Sequence, residues 1–147
     1  MQVNTYAQVT EWILNKAVTL KDVNFAGEGD IYSINSMECT KYPLIWASAV
    51  RPASETENYW VYNITLYYID RLKDEVEDIN DANSVIARSN GIIALSRLIN
   101  AIRNADWCLD IGYDNTYTQF GNTFVFNDYC TGVYTEIMIK VPKATIC

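Results

Sequence analysis

Histidine is absent from the 147 residues of this chain, and its absence excludes several kinds of chemistry. Histidine is the commonest general base near neutral pH and the commonest protein ligand for metals. Without it, the chain cannot build a Ser–His or Cys–His nucleophile pair. The S-x-x-K frame of a Ser–Lys pair is missing too, since no lysine stands three residues after a serine. The sequence therefore predicts a protein that is not an enzyme.

Basic residues are scarce, because 11 Lys and Arg stand against 18 Asp and Glu and leave a net charge of −7. Contacts with phosphates need Lys and Arg, so an acidic chain is a poor candidate for a nucleic-acid-binding module. An acidic surface past which DNA slides without being held is compatible with this charge.

Cysteine is infrequent and irregularly spaced, at Cys39, Cys108, Cys130 and Cys147. There is no C-x-x-C motif, and without histidine these positions do not predict a zinc site. We expect four reduced thiols and no bound metal.

Long apolar runs and phosphate-binding loops are missing as well. No stretch approaches the roughly 20 apolar residues of a membrane-spanning helix, and no basic segment leads into an apolar core near Met1. Gly27 and Gly29 form a G-x-G without a third glycine and a following helix, so they do not predict a nucleotide site. We expect a cytosolic protein with no membrane contact and no cofactor.

Tyrosine is the residue present in excess, with 11 copies against 4 of phenylalanine. A tyrosine ring can be buried while its hydroxyl stays in water, which suits half-buried sheets and protein interfaces. The length predicts one domain over residues 1–147. Both uses of tyrosine, a sheet with one wet face and a contact surface, remain open.

Hydrophobic periodicity predicts the order helix, three strands, long helix, three strands. This order indicates an α+β fold, in which a mostly antiparallel sheet has its two helices packed on one face. Residues 18–30 are predicted to be a connection and residues 52–58 a polar turn. The predicted helices are 4–17 and 82–104, and the predicted strands are 31–36, 44–51, 59–69, 107–113, 116–126 and 132–141.

The core is predicted from two patterns. Along 59–69 the even positions from Trp60 to Tyr68 are the more apolar and should face the helices. On the long helix, Leu95 and Ile99 belong to an apolar stripe. The stripe is completed by Val85, Ile92 and Ile102, is widened by Ile86, Ile93 and Leu98, and leaves Arg88, Arg97 and Arg103 mostly outside. We expect a joint core of Ile64, Leu66, Leu95, Ile99 and Ile137.

Carboxylates crowd the segment between the strongest strand and the long helix. A metal or acid–base site is one interpretation, but the spacing lacks the glycine and the terminal glutamate of calcium loops. A solvated turn whose acids precede a helix is the other interpretation. Asp106 and Asp110 offer a further possible carboxylate pair, although turns collect aspartate for local hydrogen bonds.

Several segments follow one another in an order that resembles a known family. An I-x-x-I strand precedes "YPLIW", which holds Tyr42, Pro43 and Trp46, and a long strand ends in "LYYIDRL" at Asp70. A long helix follows, and the last strands end in the alternating "YTEIMIKVP" with a cysteine close by. This arrangement resembles the tail-completion or tail-terminator-like proteins of tailed bacteriophages, most of all those of Bacteroidetes phages, including crAss-like phages.

The resemblance implies a structural virion protein without catalytic residues. Copies form a closed ring, six- or twelve-fold, in the neck between the portal and the tail, and DNA passes through it without specific binding. The implied partners are further copies, the portal and the adjacent neck and tail proteins, assembled in the bacterial cytoplasm. A monomeric binding or adaptor module is the alternative, and a carboxylate-dependent enzyme is a more distant one.

A ring needs two different sticky surfaces on each subunit. The candidates are outward aromatics of the long strand and of the segment after 115, because aromatics are favoured at interface cores. Burial of unpaired carboxylates is costly, so the acids should line the channel or stay in solvent. The interface candidates are Tyr59, Tyr67, Tyr117 and Phe120. The acidic candidates are Asp74, Glu75, Glu77, Asp78 and Asp81.

Overall fold

The computed structural model describes residues 3–30, 41–48, 53–72, 80–113, 116–125 and 128–143. They form a seven-stranded, mostly antiparallel sheet and two helices, so the predicted α+β class is confirmed. The elements in chain order are α1 (Tyr6–Ala17), β1 (Phe25–Glu28), β2 (Leu44–Ser48), β3 (Ser54–Glu55), β4 (Tyr59–Arg71), α2 (Ala82–Arg103), β5 (Asp110–Tyr113), β6 (Thr118–Val125) and β7 (Asp128–Pro142).

The centre of the sheet is the antiparallel pair β4–β7, which stays in register from Tyr59 opposite Pro142 to Arg71 opposite Cys130. The strand order is β1-β2-β4-β7-β5, with β3 also paired to β4 and β6 also paired to β7. The β1–β2 pair is parallel, and the other pairs are antiparallel.

Helix α1 begins at a capping box. Thr5 is the N-cap, its hydroxyl accepts from the backbone N–H of Gln8, and the Gln8 side chain accepts from the backbone of Thr5. Buried residues then recur every four positions at Val9, Ile13 and Ala17, so one stripe of the helix faces the sheet.

Both helices pack on the same face of the sheet and share one core. The even positions of β4 from Tyr62 to Tyr68 are buried in it, and Trp60 packs against it, as the alternation predicted. The joint core that the sequence predicted is confirmed, because all five of its residues belong to this cluster and none is more than 3% exposed. These residues are Ile64, Leu66, Leu95, Ile99 and Ile137.

The first half of α2 is turned differently from the prediction. The small residues Ala87, Gly91 and Ala94 are buried against the sheet. A Cβ atom at Gly91 would lie 2.7 Å from Tyr68 Cδ1 and 2.8 Å from Val133 Cγ2, so the helix approaches the sheet too closely for a larger residue. The predicted core positions Val85, Ile86 and Ile93 are instead 42%, 57% and 49% exposed. Arg88, expected outside the stripe, is buried.

Several predicted boundaries also need correction. Residues 25–28, predicted as part of a connection, form β1, and residues 54–55, predicted as a turn, form β3. The last strand begins at Asp128 rather than at residue 132. The strand predicted at 107–113 begins only at Asp110, because residues before it form turns, with the N–H of Cys108 donating to the carbonyl of Ala105. The strand predicted at 31–36 lies outside the described residues.

Within the described part of the chain, α2 is the one helix whose length and composition would let it cross a membrane. A helix that is buried in a protein core can be as apolar as a membrane-spanning helix. Leu95, Leu98 and Ile99 of α2 are buried in the core. The expectation of no membrane contact stays a prediction.

Candidate interaction face of the sheet

The side of the sheet opposite the helices, the outer face, carries most of the predicted contact residues. Its members follow from the alternation of each strand and from the cross-strand register. On β4 they are the odd positions from Tyr59 to Ile69, and on β7 the even positions from Cys130 to Pro142. Leu44 and Trp46 of β2 lie on the same side.

One end of the outer face is closed by a second, smaller apolar cluster. Its buried members come from three strands, and half-buried aromatics surround them. The buried residues are Leu44, Trp46, Ile69 and Cys130, and the surrounding ones are Phe25, Tyr42, Tyr67 and Phe120. The sheet is therefore apolar on both sides at this end, although the helices cover only one side.

Two aromatic rings of this end are fixed over glycines. A Cβ at Gly132 would lie 2.8 Å from Phe120 Cε1, and a Cβ at Gly27 would lie 2.7 Å from Trp46 Cε3. Glycine leaves room for a ring from the neighbouring strand to lie on the backbone. The Trp46 indole also donates from Nε1 to the carbonyl of Gly29 at 3.1 Å. These rings hold neighbouring strands together: Trp46 is buried, and Phe120 is half-buried.

A polar cluster lies beside these rings. The Tyr42 hydroxyl donates to Asp128 Oδ2 at 2.8 Å, and Arg71 Nε lies 3.7 Å from Asp128 Oδ1. Burial, together with the bond to Asp128, raises the pKa of Tyr42. Burial raises the pKa of the Cys130 thiol to about 12. A thiol with a raised pKa is mostly protonated near neutral pH. The contacts of this cluster join β7 to β4 and to the residue two positions before β2.

The rest of the outer face is more open and includes an area that we call the open patch. The Tyr67 and Tyr134 rings lie 5.4 Å apart there, and the ammonium of Lys140 lies 5.2 Å from the centre of the Tyr59 ring. Met138 is 38% exposed, which makes it one of the exposed large apolar residues of the described chain. The open patch consists of Tyr59, Tyr67, Tyr134, Glu136, Met138 and Lys140.

Comparison with known proteins adds no identification. No protein-family model matches the chain, and no curated protein shows significant sequence similarity to it. The resemblance to tail-completion proteins therefore stays a prediction.

The four predicted interface residues are distributed unevenly. Tyr59 and Tyr67 lie on the outer face, and both are half-buried. Phe120 packs against the same small cluster as Tyr67, so these two do not form two separate surfaces. Tyr117 packs against the helix-side core instead. The four residues therefore provide one candidate contact surface, on the outer face.

Of the five predicted acidic residues, only Asp81 falls in the described part of the chain. Its Oδ2 accepts from the backbone N–H of Asn83 at 3.2 Å, and it is the N-cap of α2. Asp81 thus has a local structural role at the helix start. Asp74, Glu75, Glu77 and Asp78 lie outside the described residues. Among the residues described, no three Cys, Asp or Glu side chains come together as a metal site.

Sequence reasoning did not find the polar cluster of Tyr42, Arg71, Asp128 and Cys130. Tyr42 and Asp128 are 86 positions apart in the chain, and no local pattern links them. The one available signal was the alternation of β7, which would have placed Asp128 and Cys130 on one face had the strand been extended to its true start.

Proposed function

We propose that this protein is a structural virion subunit that forms a closed ring in the neck of a tailed bacteriophage, around the path of the DNA. The observation that carries the proposal is the outer face, where half-buried tyrosines and Met138 cover strands that neither of the two described helices covers. Aromatic residues and methionine are enriched at the cores of protein interfaces. The order of segments that resembles tail-completion proteins supports the place in the neck.

The two edges of the sheet also suit a ring. Among the described strands, β1 pairs only with β2 at one edge, while β5 and β6 pair only with β7 at the other. The two edges therefore differ in length and in sequence. A ring repeats a contact between two different surfaces of neighbouring subunits, and a subunit with unlike edges and unlike faces supplies such surfaces.

The chemistry of the chain fits a structural role. There is no histidine, and the Cys130 thiol, with its pKa near 12, is not activated. The net charge of −7 repels the phosphates of DNA, so a lumen lined by this protein would let DNA slide past.

Quantitative mass spectrometry of purified particles of the encoding phage tests the proposal. We expect the protein in several copies per particle, close to the copy number of the portal, and cross-linked to portal or tail proteins. Absence from purified particles would overturn the proposal. Recovery from infected cells with one host protein would favour the adaptor alternative instead.

The acidic segment gives a second test. Reversal of Asp74, Glu75 and Glu77 to lysine should leave the circular dichroism spectrum unchanged and slow the passage of DNA, because a basic lumen holds phosphates. Unchanged DNA ejection would show that this segment faces away from the channel.

A further inference from the structure

We propose that the outward side of α2 is the second surface of the subunit contact, and that it binds the open patch of the next copy. This inference rests on the proposed ring and names the two surfaces that the ring joins. The outward side, which we call the outward stripe, consists of Val85, Ile86 and Ile93, all at least 42% exposed.

The exposure of the outward stripe follows from the way α2 packs on the sheet. The tight contact of Gly91 with Tyr68 and Val133 fixes which side of α2 faces the sheet. In the first half of α2 the buried side carries Ser84, Ala87 and Gly91 beside Arg88, while two isoleucines and a valine lie on the exposed side. Exposed apolar residues that lie together on one element mark a surface for a partner more often than isolated ones do.

Charge indicates the kind of partner. Every charged residue of α2 is an arginine, in a chain whose net charge is −7. Arg97 is exposed and stands four residues after Ile93, so it lies next to the outward stripe on the helix surface. A basic and apolar surface on a strongly acidic protein complements the rest of that same protein. The partner that this favours is a second copy.

The open patch supplies a matching set of groups. Glu136 is exposed on the outer face, with Tyr134 and Met138 two positions away on the same side of β7. It therefore presents a carboxylate between apolar side chains, while α2 presents a guanidinium beside apolar side chains. The helices and the open patch lie on opposite faces of the sheet, so the contact joins unlike surfaces as a ring requires.

A groove beside the outward stripe provides space for an inserted side chain. It lies between the turn after α1 and the middle of α2, and has a volume of about 190 Å³. Asn90, Ile93 and Arg97 of α2 line one wall, and Leu20, Lys21 and Asp22 line the other. Tyr68, only 2% exposed, also lines the groove. A long flexible apolar side chain such as Met138 of the next copy suits a groove of mixed apolar and polar lining.

A charge exchange tests the pairing. Arg97→Glu or Glu136→Arg alone should weaken self-association about tenfold or more, because each puts like charges opposite each other. Both changes in one chain should restore it. A mixture of the two single variants should recover association with the two variants alternating, because every contact between unlike variants joins opposite charges while each variant alone repels itself. Association is measured by sedimentation equilibrium across a wide concentration range.

Matched controls separate this pairing from general charge effects. Lys16→Glu and Glu57→Arg make the same charge changes at exposed positions of α1 and of the polar turn, and they should leave association unchanged. Ile86→Ser with Ile93→Ser should abolish association while the circular dichroism spectrum is kept. Association of the Arg97→Glu variant equal to that of the natural chain overturns the inference, as does failure of the double variant to recover.

The two proposals can fail separately. If the protein forms a ring in particles but the charge exchange has no effect, the ring stands and these two surfaces are wrong. If the exchange behaves as expected but the protein is absent from particles, the contact stands and the neck function is wrong. If the natural chain and all variants stay monomeric at every concentration, the inference fails, because the two surfaces then have no measurable affinity.

Discussion

The two faces of the β4–β7 pair differ sharply at adjacent positions of the same strands. On the helix side, Ile64 lies opposite Ile137, and both are at most 3% exposed. One residue earlier on β4, Asn63 lies opposite Met138 on the outer face, and Met138 is 38% exposed. The same backbone therefore presents a closed aliphatic core on one side and an open mixed surface on the other.

This difference explains the outward tyrosines of the sheet, whereas Tyr62 and Tyr68 are buried in the helix-side core. Where helices cover the sheet, branched aliphatic residues pack at the density of a protein interior. Where neither α1 nor α2 covers it, Tyr59, Tyr67 and Tyr134 cover the strands with rings whose hydroxyls tolerate water. The outer face is stable in solvent, and it also offers the aromatic groups that interfaces favour.

The largest expected effect is on the helix side. Replacement of Leu95 or Ile99 by alanine leaves a cavity in the joint core and should lower the free energy of unfolding by roughly 2–5 kcal/mol. Urea denaturation followed by circular dichroism measures it. A change of less than about 0.5 kcal/mol at both positions would mean that the core has been assigned to the wrong face.

The close contact between α2 and the sheet is the next test. Alanine is ordinarily the better helix residue by about 1 kcal/mol, yet Gly91→Ala should destabilise the fold by roughly 1–3 kcal/mol because its methyl group would overlap Tyr68 and Val133. Ser89→Ala, at an exposed position of the same helix, is the control and should be neutral or slightly stabilising. A more stable Gly91→Ala variant would contradict the close approach.

The pH dependence of Asp70 gives a smaller effect. Burial raises the pKa of Asp70 above its ordinary value of 3.8. The folded state therefore binds the proton more tightly than the unfolded state, so stability is lost as the pH rises through the folded-state pKa. Asp70→Asn should raise the melting temperature at neutral pH, and the gain should vanish below pH 3.8.

Thermal melts across the acid range, with the exposed Asp106→Asn as control, measure this difference. A lower melting temperature for Asp70→Asn at neutral pH would show that the ionised carboxylate is stabilised by its surroundings rather than penalised by burial.

The smallest expected effect is on the outer face. Met138→Ala should change the free energy of unfolding by less than about 0.5 kcal/mol, because an exposed side chain makes few contacts. Its neighbour Ile137→Ala, which removes a buried side chain from the same strand, should cost roughly 2–5 kcal/mol. Equal losses in urea denaturation would remove the distinction between the two faces.

The sequence predicted the fold class, the joint core and the buried face of β4, since alternation and helical periodicity report burial directly. It failed on the first half of α2, where two apolar stripes lie side by side. Periodicity favoured a stripe that begins at Val85 and Ile92 and that Ile86 and Ile93 widen. The close packing of Gly91 on Tyr68 instead buries the side of the helix that carries the smaller residues Ala87 and Gly91. Periodicity could not predict this contact, because it joins distant parts of the chain.

The candidate surfaces were predictable only in part. Tyr59 and Tyr67 were placed correctly on the side away from the core, because they alternate with buried residues. Phe120 was not predicted to pack on the same cluster as Tyr67, since the pairing of β6 with β7 decides that position. The short strand β1 was missed because its partner β2 lies beyond a long connection.

A reconstruction of the purified phage particle by electron cryomicroscopy, focused on the region between portal and tail, tests the proposed ring. We expect a closed ring of this chain around the DNA path, with the outward stripe of α2 in one copy against the open patch of the next. Absence of the chain from this region, or its presence there as isolated copies that do not touch, would show that the protein is not a neck ring even with the fold unchanged.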